Sequence, residues 1–178
     1  ATQGQFRVVC GAGKKVSASV KDTYRRAAAT GGCGIRMMDQ PMVYLDKNYV
    51  TMLGGIRETL ESVKNVPELE GRAKVIQVKN NADLALDCWT AAEFGADVIF
   101  LDTGRLEDFA ELQKAMEFMA HIPKIAFAGN VTLEDMRRLR ELPVDIVGVG
   151  KAIADAPMLD MRFDVVPPNR PHKCDCVH

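Results

Sequence analysis

The sequence predicts an α/β fold on a parallel sheet, and three observations predict it. Short apolar runs alternate along the chain with helix-like stretches. The runs are apolar throughout, as strands buried on both faces are. Each run ends in polar residues or glycine, and ligands sit at the carboxyl ends of strands in such folds. The central instance is Gly95–Thr103, where the β-branched and aromatic run Val98–Leu101 stops abruptly at Asp102, with Gly104 just behind. Asp102 stands where a sugar hydroxyl, a metal or a proton would be handled. Its plainer role would be to cap the following helix.

Taken in order, Arg7–Cys10 is the first strand, followed by the loop Gly11–Lys15. A helix is expected from about Ser19 to Ala29, with Tyr24, Ala27 and Ala28 inward, and Gly31–Gly34 breaks it. Met42–Leu45 is the second strand, with the polar end Asp46-Lys47-Asn48. A helix over Gly55–Lys64 runs to the stop at Val66-Pro67. Val75–Val78 is the third strand, ending at Lys79-Asn80-Asn81, and a helix over Ala82–Phe94 leads into the fourth, Val98–Leu101. The next helix spans about Leu106 to Met119. Lys124–Ala128 forms the fifth strand, closed by Gly129-Asn130. Thr132 caps a helix through Leu142, with Asp135 completing a capping-box pair. Asp145–Val149 is the sixth strand and ends at Gly150-Lys151. This alternation makes repeated right-handed βαβ units. They fit either an open doubly wound sheet or a barrel of few strands. Gly11-Ala12-Gly13 lacks the third glycine of a dinucleotide fingerprint.

At 178 residues the chain has the size of one domain, read as 1–166 with a tail at 167–178. Its net charge of −1 gives no basic field for nucleic acid. No apolar run is long enough to span a membrane and no signal peptide is visible. Five scattered cysteines do not form a disulfide framework, so a reducing, cytoplasmic location is expected. Cys10, Cys33 and Cys88 read as small buried hydrophobes. Met37, Met38, Met42 and Met52 read as packing residues.

The strand ends supply Lys14 and Lys15, Asp46 and Lys47, Gln77 and Lys79, Asp102, Gly129-Asn130, and Gly150-Lys151. Early cations, a central carboxylate and late glycines suit a phosphate–sugar ligand. Glycines let backbone N–H groups approach phosphate oxygens closely.

These residues, in this order, resemble the C-terminal barrel domain of the quinolinate phosphoribosyltransferases and their molybdenum-transport-linked paralogues. Gly13-Lys14-Lys15-Val16 sits where that family has Thr-Arg-Lys-Thr. Gly31–Arg36 resembles its Gly-Gly…Asn-His-Arg, and Met42–Val50 its strand ending Lys-Asp-Asn-His. Gly95–Asp102 is similar to Gly-Ala-Asp…Leu-Asp, and Ala128–Thr132 to Ser-Gly-Gly-Ile-Thr. Val144–Asp160 resembles the family's last strand and tail. The resemblance implies a (β/α) barrel of about six parallel strands. It also implies transfer of phosphoribosyl from phosphoribosyl pyrophosphate to the ring nitrogen of an aromatic carboxylate, with magnesium assisting. Lys14 and Arg36 would then hold the acid, and Lys15 the pyrophosphate oxygens. Asp102, directly or through magnesium, would bind ribose hydroxyls and stabilise the cationic centre. Gly129, Asn130 and Gly150 would cradle the 5′-phosphate.

The chain departs from the family pattern at telling positions. Ile35 replaces the histidine before the arginine. Asp46 replaces the catalytic-site lysine or shifts it to Lys47, and Gln77 replaces the ribose-binding carboxylate. The family's N-terminal domain, which completes a neighbouring subunit's site, is not in this sequence, so a homo-oligomer or a partner subunit is expected. The alternative is a degenerate barrel that binds a ligand or serves as a subunit of a larger assembly, without turnover. In the tail, His172, Cys174, Cys176 and His178 are candidate zinc ligands, although Cys-x-Cys is tighter than the usual spacing.

Overall fold

The computed structural model describes residues 5–14, 16–79, 83–157, 159–161, 163 and 165. Six strands lie in one parallel sheet: β1 (Arg7–Cys10), β2 (Met42–Leu45), β3 (Ala73–Val78), β4 (Val98–Leu101), β5 (Lys124–Ala128) and β6 (Ile146–Val149). The helices are α1 (Lys21–Thr30), α2 (Lys47–Leu53), α3 (Ile56–Lys64), α4 (Leu84–Glu93), α5 (Asp108–Met116), α6 (Leu133–Arg138) and α7 (Lys151–Ala154). The strand order is β1-β6-β5-β4-β3-β2. A doubly wound sheet reverses direction at a switch point, and this order has none. It is the cyclic order of a barrel opened between β1 and β2, a curled half-barrel, which settles the choice the sequence leaves open.

Period-two alternation divides the sheet into two apolar layers. One face carries Val9, Val75, Val98, Ala126 and Ile146, packed with Met37, Met38, Met42, Tyr44 and Phe100. The other turns Leu45, Ile76, Val78, Ile99, Leu101, Ile125, Phe127, Val147 and Val149 toward Leu60, Cys88, Phe109, Leu112 and Leu139 of the helical layer. The Phe109 and Phe127 rings lie 5.2 Å apart and tilted. Each fully buried Leu, Ile or Phe contributes about 1.5–3 kcal/mol, and demand from both layers is why the strands are apolar throughout.

The free edge of β1 is partly covered. Gly34 forms a parallel bridge with Val9: its N–H donates to the Val8 carbonyl, and its own carbonyl accepts from Cys10 N–H, both at 2.8 Å. A Cβ here would lie 2.9 Å from Arg7 Nε, so glycine lets the segment approach. Arg7 itself is paired with Asp39 at 2.7 Å.

The elements differ from expectation mainly at their ends. β3 begins two residues earlier than predicted, at Ala73, and β6 begins at Ile146, just after Asp145, whose backbone bonds Ile125 and Arg7 and whose side chain accepts from Ile125 N–H. α1 starts at Lys21 after a 3₁₀ turn over Ala18–Val20. The polar end after β2 opens an additional helix, α2, because Asp46 accepts from the N–H groups of Asn48 and Tyr49. α5 is shorter than predicted, and α6 gives way to a 3₁₀ turn at Leu139–Glu141. Ala27, expected inward, is exposed, as is Met52 at 77 %. Cys88 is fully buried, whereas Cys10 and Cys33 are half-buried.

Candidate functional site at the carboxyl ends of the strands

Three side chains from adjacent strands converge at the carboxyl end of the sheet. Gln77 faces the same side as Val75, two residues earlier on β3, but lies at the rim. Its Nε2 donates to Asp102 Oδ2 at 2.7 Å, and its Oε1 accepts from Lys47 N–H at 2.9 Å. Lys79 Nζ reaches the same Oδ2 at 3.2 Å. The Asp102 side chain is 26 % exposed, and it does not cap α5, whose N-cap position is Glu107. Asp102 therefore terminates β4 as a half-buried carboxylate that meets, among the described residues, one amide donor and one cation.

An amide at residue 77 is the group these contacts require, because it accepts at one atom and donates at the other. A carboxylate would place two negative charges within hydrogen-bond distance. The Glu-to-Gln departure is thus built into the local hydrogen bonding.

Tyr44, which the sequence reading leaves among the strand residues, belongs to this rim. Its ring meets Phe100 at 6.0 Å between centroids, and Lys14 Nζ lies 5.5 Å from the ring centre. Burial first, and then the charges of Asp102 and Asp46, push its phenol far up, so it remains a neutral hydroxyl. Lys79 is also given no role in the sequence reading. Its i, i+2 relation to Gln77 on a strand was the signal that could have found it.

The loops opposite are built from small residues. The rim side of β5 and β6 carries Ala128 and Gly148, whose Cβ, if present, would sit 3.1 Å from that of Ala128. Gly129 has φ 117° and Asn130 has φ 53°. Asn130 thus adopts a left-handed conformation that asparagine tolerates better than most residues. A Cβ on Gly104 would lie 2.5 Å from the Gly129 carbonyl oxygen, and Gly104 N–H donates to the Ala128 carbonyl at 3.0 Å. Backbone contact between these loops fixes Asp102 relative to the Gly129–Asn130 turn. Gly150 occupies the N-cap position of α7.

The structure treats the other predicted residues differently. Lys47 is the first residue of α2, where its backbone N–H, not its exposed side chain, enters the cluster. Lysine contact with Asp102 comes from Lys79. Asp46 is committed to capping α2. Arg36 is exposed, and no hydrogen bond, ion pair or ring contact among the described residues ties it to Lys14 or Asp102. Lys15 lies outside the described residues, as do His172, Cys174, Cys176 and His178. Among the described residues no group of three or more His, Cys, Asp or Glu could hold a metal. Asp102 is a single carboxylate paired with Lys79, so a magnesium ion held there would draw its other oxygen ligands from substrate phosphates and water. No helix among the described residues is long and apolar enough to cross a membrane.

Beside this rim, between β1 and α1, lies a cavity of about 170 Å³. Its lining includes Cys10, Lys14, Lys21, Tyr24, Arg25 and Ile35. The Tyr24 hydroxyl is buried without a hydrogen-bond partner among the described residues.

A family model described as quinolinate phosphoribosyl transferase, C-terminal domain, matches residues 3–164. The chain is 22 % identical over 124 residues to the human nicotinate-nucleotide pyrophosphorylase [carboxylating], covering 68 % of this chain and 39 % of that protein. It is 24 % identical over 163 residues to a probable nicotinate-nucleotide pyrophosphorylase [carboxylating] of Archaeoglobus fulgidus, covering 90 % and 60 %. Among solved structures it is similar to the nicotinate-nucleotide pyrophosphorylase of Pyrococcus furiosus. The TM-score is 0.70 at 21 % identity, covering 87 % of this chain and 44 % of that one, a likeness of fold. The chain thus spans about 40 to 60 % of the length of the curated relatives it matches.

Proposed function

Because this chain belongs to the quinolinate phosphoribosyl transferase family, matching its C-terminal domain, we propose that it is a phosphoribosyltransferase acting at the carboxyl ends of its strands. The bond from ribose C1′ to the pyrophosphate oxygen breaks, a bond from C1′ to a nitrogen of a small acidic acceptor forms, and pyrophosphate leaves. The observation that carries this reading is the Gln77–Asp102–Lys79 cluster, set opposite the small-residue loops of β5 and β6.

Asp102 accepts the ribose hydroxyls, and its charge favours the cationic character that develops at C1′. Gln77 holds that carboxylate in place. Lys79 takes the role that the sequence reading gives to Lys47: it transfers its contact from Asp102 to the departing pyrophosphate, alongside Lys14 and Lys15. Backbone N–H groups of Gly129, Asn130 and Gly150 receive the 5′-phosphate. Lys14 and Arg36 face the acceptor acid. Magnesium, if bound, would be held by Asp102 together with the substrate's own phosphate oxygens and would neutralise the leaving pyrophosphate.

The second reading is ligand binding without turnover. The double engagement of Asp102 Oδ2 by Gln77 and Lys79 favours it, since both contacts must be surrendered before a substrate can use that oxygen. Calorimetry with phosphoribosyl pyrophosphate on wild type and Asp102→Ala tests the site, and pyrophosphate release with an aromatic acid present separates the two readings. Binding lost in the variant supports a phosphoribosyl site; wild type that does not bind overturns the transferase reading and leaves a barrel put to another use.

A homo-oligomer belongs to the same proposal. Exposed Tyr49, Met52 and Leu53 place apolar surface on α2, next to the rim. Light scattering is expected to give a multiple of 19.6 kDa, and a monomer across the working concentration range would remove this part.

A further inference from the structure

We propose that Tyr44 is a positioning residue, whose ring carries Lys14 across the open seam of the half-barrel and holds its ammonium at the rim for an anionic ligand. β1 and β2 lie at opposite edges of the sheet and do not pair with each other. Lys14 ends the 3₁₀ turn Ala12–Lys14 that follows β1, and Tyr44 belongs to β2. The Lys14 ammonium nevertheless lies 5.5 Å from the centre of the Tyr44 ring, within the range of a cation–π contact. One side-chain pair therefore spans the gap that the strand pairing leaves open.

Both ends of this span are anchored. Ala12 is fully buried and Gly11 N–H donates to the Val149 carbonyl at 2.8 Å, so the turn is fixed on β6 while the Lys14 side chain is exposed. Tyr44 stands beside Val75 in the β2–β3 ladder, and its ring is tilted at 53° against Phe100. Among the described residues no ion pair holds Lys14, and the ring is the group its ammonium meets. A free lysine stem samples many rotamers, which must be given up when an anion binds. The ring face narrows them beforehand. An ammonium carries more donors than the ring engages, so the contact leaves N–H groups for phosphate oxygens. The charges of Asp102 and Asp46 act on the Tyr44 phenol, which sets the pair beside the carboxylate that ends β4. It is the ring face, not the hydroxyl, that a cation uses, so phenylalanine can replace tyrosine here and leucine cannot. That the anion is pyrophosphate rests on the transferase reading; the contact across the seam does not.

The test uses the full chain, inorganic pyrophosphate as the probe, and four variants: Tyr44→Phe, Tyr44→Leu, Lys14→Gln and the Tyr44→Leu/Lys14→Gln double variant. Proton NMR of the Lys14 ε-methylene, assigned by its loss in Lys14→Gln, is expected to show an upfield ring-current shift. That shift should persist in Tyr44→Phe and disappear in Tyr44→Leu. In calorimetry, pyrophosphate is expected to weaken about tenfold in Lys14→Gln and about threefold in Tyr44→Leu, with Tyr44→Phe close to wild type. The double variant should bind no more weakly than Lys14→Gln alone, because the ring acts only through the lysine. Thermal melts confirm that each variant is folded. If Tyr44→Leu weakens binding equally with and without Lys14, the ring serves structure alone and the proposal is overturned. So it is by an unshifted Lys14 methylene in wild type, or by tighter binding in Tyr44→Leu, which would show the ring withholding the ammonium. A shifted methylene in a wild type that ignores pyrophosphate would instead count against the transferase reading and reduce Tyr44 to a structural clasp, so the two failures are distinct.

Discussion

A single amide carries much of the logic at the rim. Gln77 joins the first backbone N–H of α2 to the carboxylate that ends β4, so one side chain couples three consecutive strand ends. Gln77→Glu is expected to lower stability at pH 7 by about 1–3 kcal/mol, because it replaces a donor with a second negative charge beside Asp102. The carboxyl pair shares a proton more readily as the pH falls, so urea denaturation at pH 7 and pH 5 should show the deficit shrinking. An equal deficit at both pH values would mean that the charge conflict is not its cause. Read from sequence alone, this residue was a lost charge; the hydrogen-bond partners that make it a fitted amide lie 25 and 30 residues away, and no local pattern announces them. Separation in sequence likewise hid the contact of Tyr44 with Phe100, and that of Lys79, named among the strand-end residues, with Asp102. Asp102, by contrast, was legible, because an apolar strand that stops dead at a carboxylate is a local signal.

Among the elements, caps and turns decide where the rim residues sit. Thr132 and Asp135 cap α6 reciprocally, each side chain bonded to the other's backbone N–H, and Asp135 is held below the ordinary carboxylate range, first by the Thr132 backbone bond. A depressed carboxyl contributes stability that is present above its unfolded value near 3.9 and lost as the pH falls through the lower folded value. Thr132→Ala should therefore cost about 1 kcal/mol at pH 7 and less at pH 3, as thermal unfolding would read it. Gly129 sits at φ 117° with its Cα against Gly104. Gly129→Ala is expected to cost about 1–3 kcal/mol and to weaken phosphoribosyl pyrophosphate binding, whereas Asn130→Gly at φ 53° should leave the melting temperature nearly unchanged. A Gly129→Ala protein as stable as wild type would show that the two loops are free to separate. The capping box was readable as a four-residue pattern. α2 was not: a run that looks like the polar end of a strand becomes a helix only because Asp46 turns back onto Asn48 and Tyr49.

The whole molecule is set by its strand order. Six parallel strands could be foreseen from six apolar runs, because every strand meets the apolar demand of both layers. Their arrangement could not, since a half-barrel and a doubly wound sheet place the same demand on each strand. What separates them is that β1 pairs with β6, Arg7 against Ile146, while β1 and β2 lie at opposite edges. That pairing also orders events in time. A ribosome delivers β1 first and its partner last, so β2 to β5 can associate in sequence while the opening strand, bridged only by Gly34 on its other side, waits with the edge that meets β6 unsatisfied for most of synthesis. Nascent chains arrested before Ile146 should be cleaved readily by added protease between residues 11 and 41, and chains released beyond Val149 should resist. Equal resistance in the two would mean that the first strand finds shelter before its partner exists.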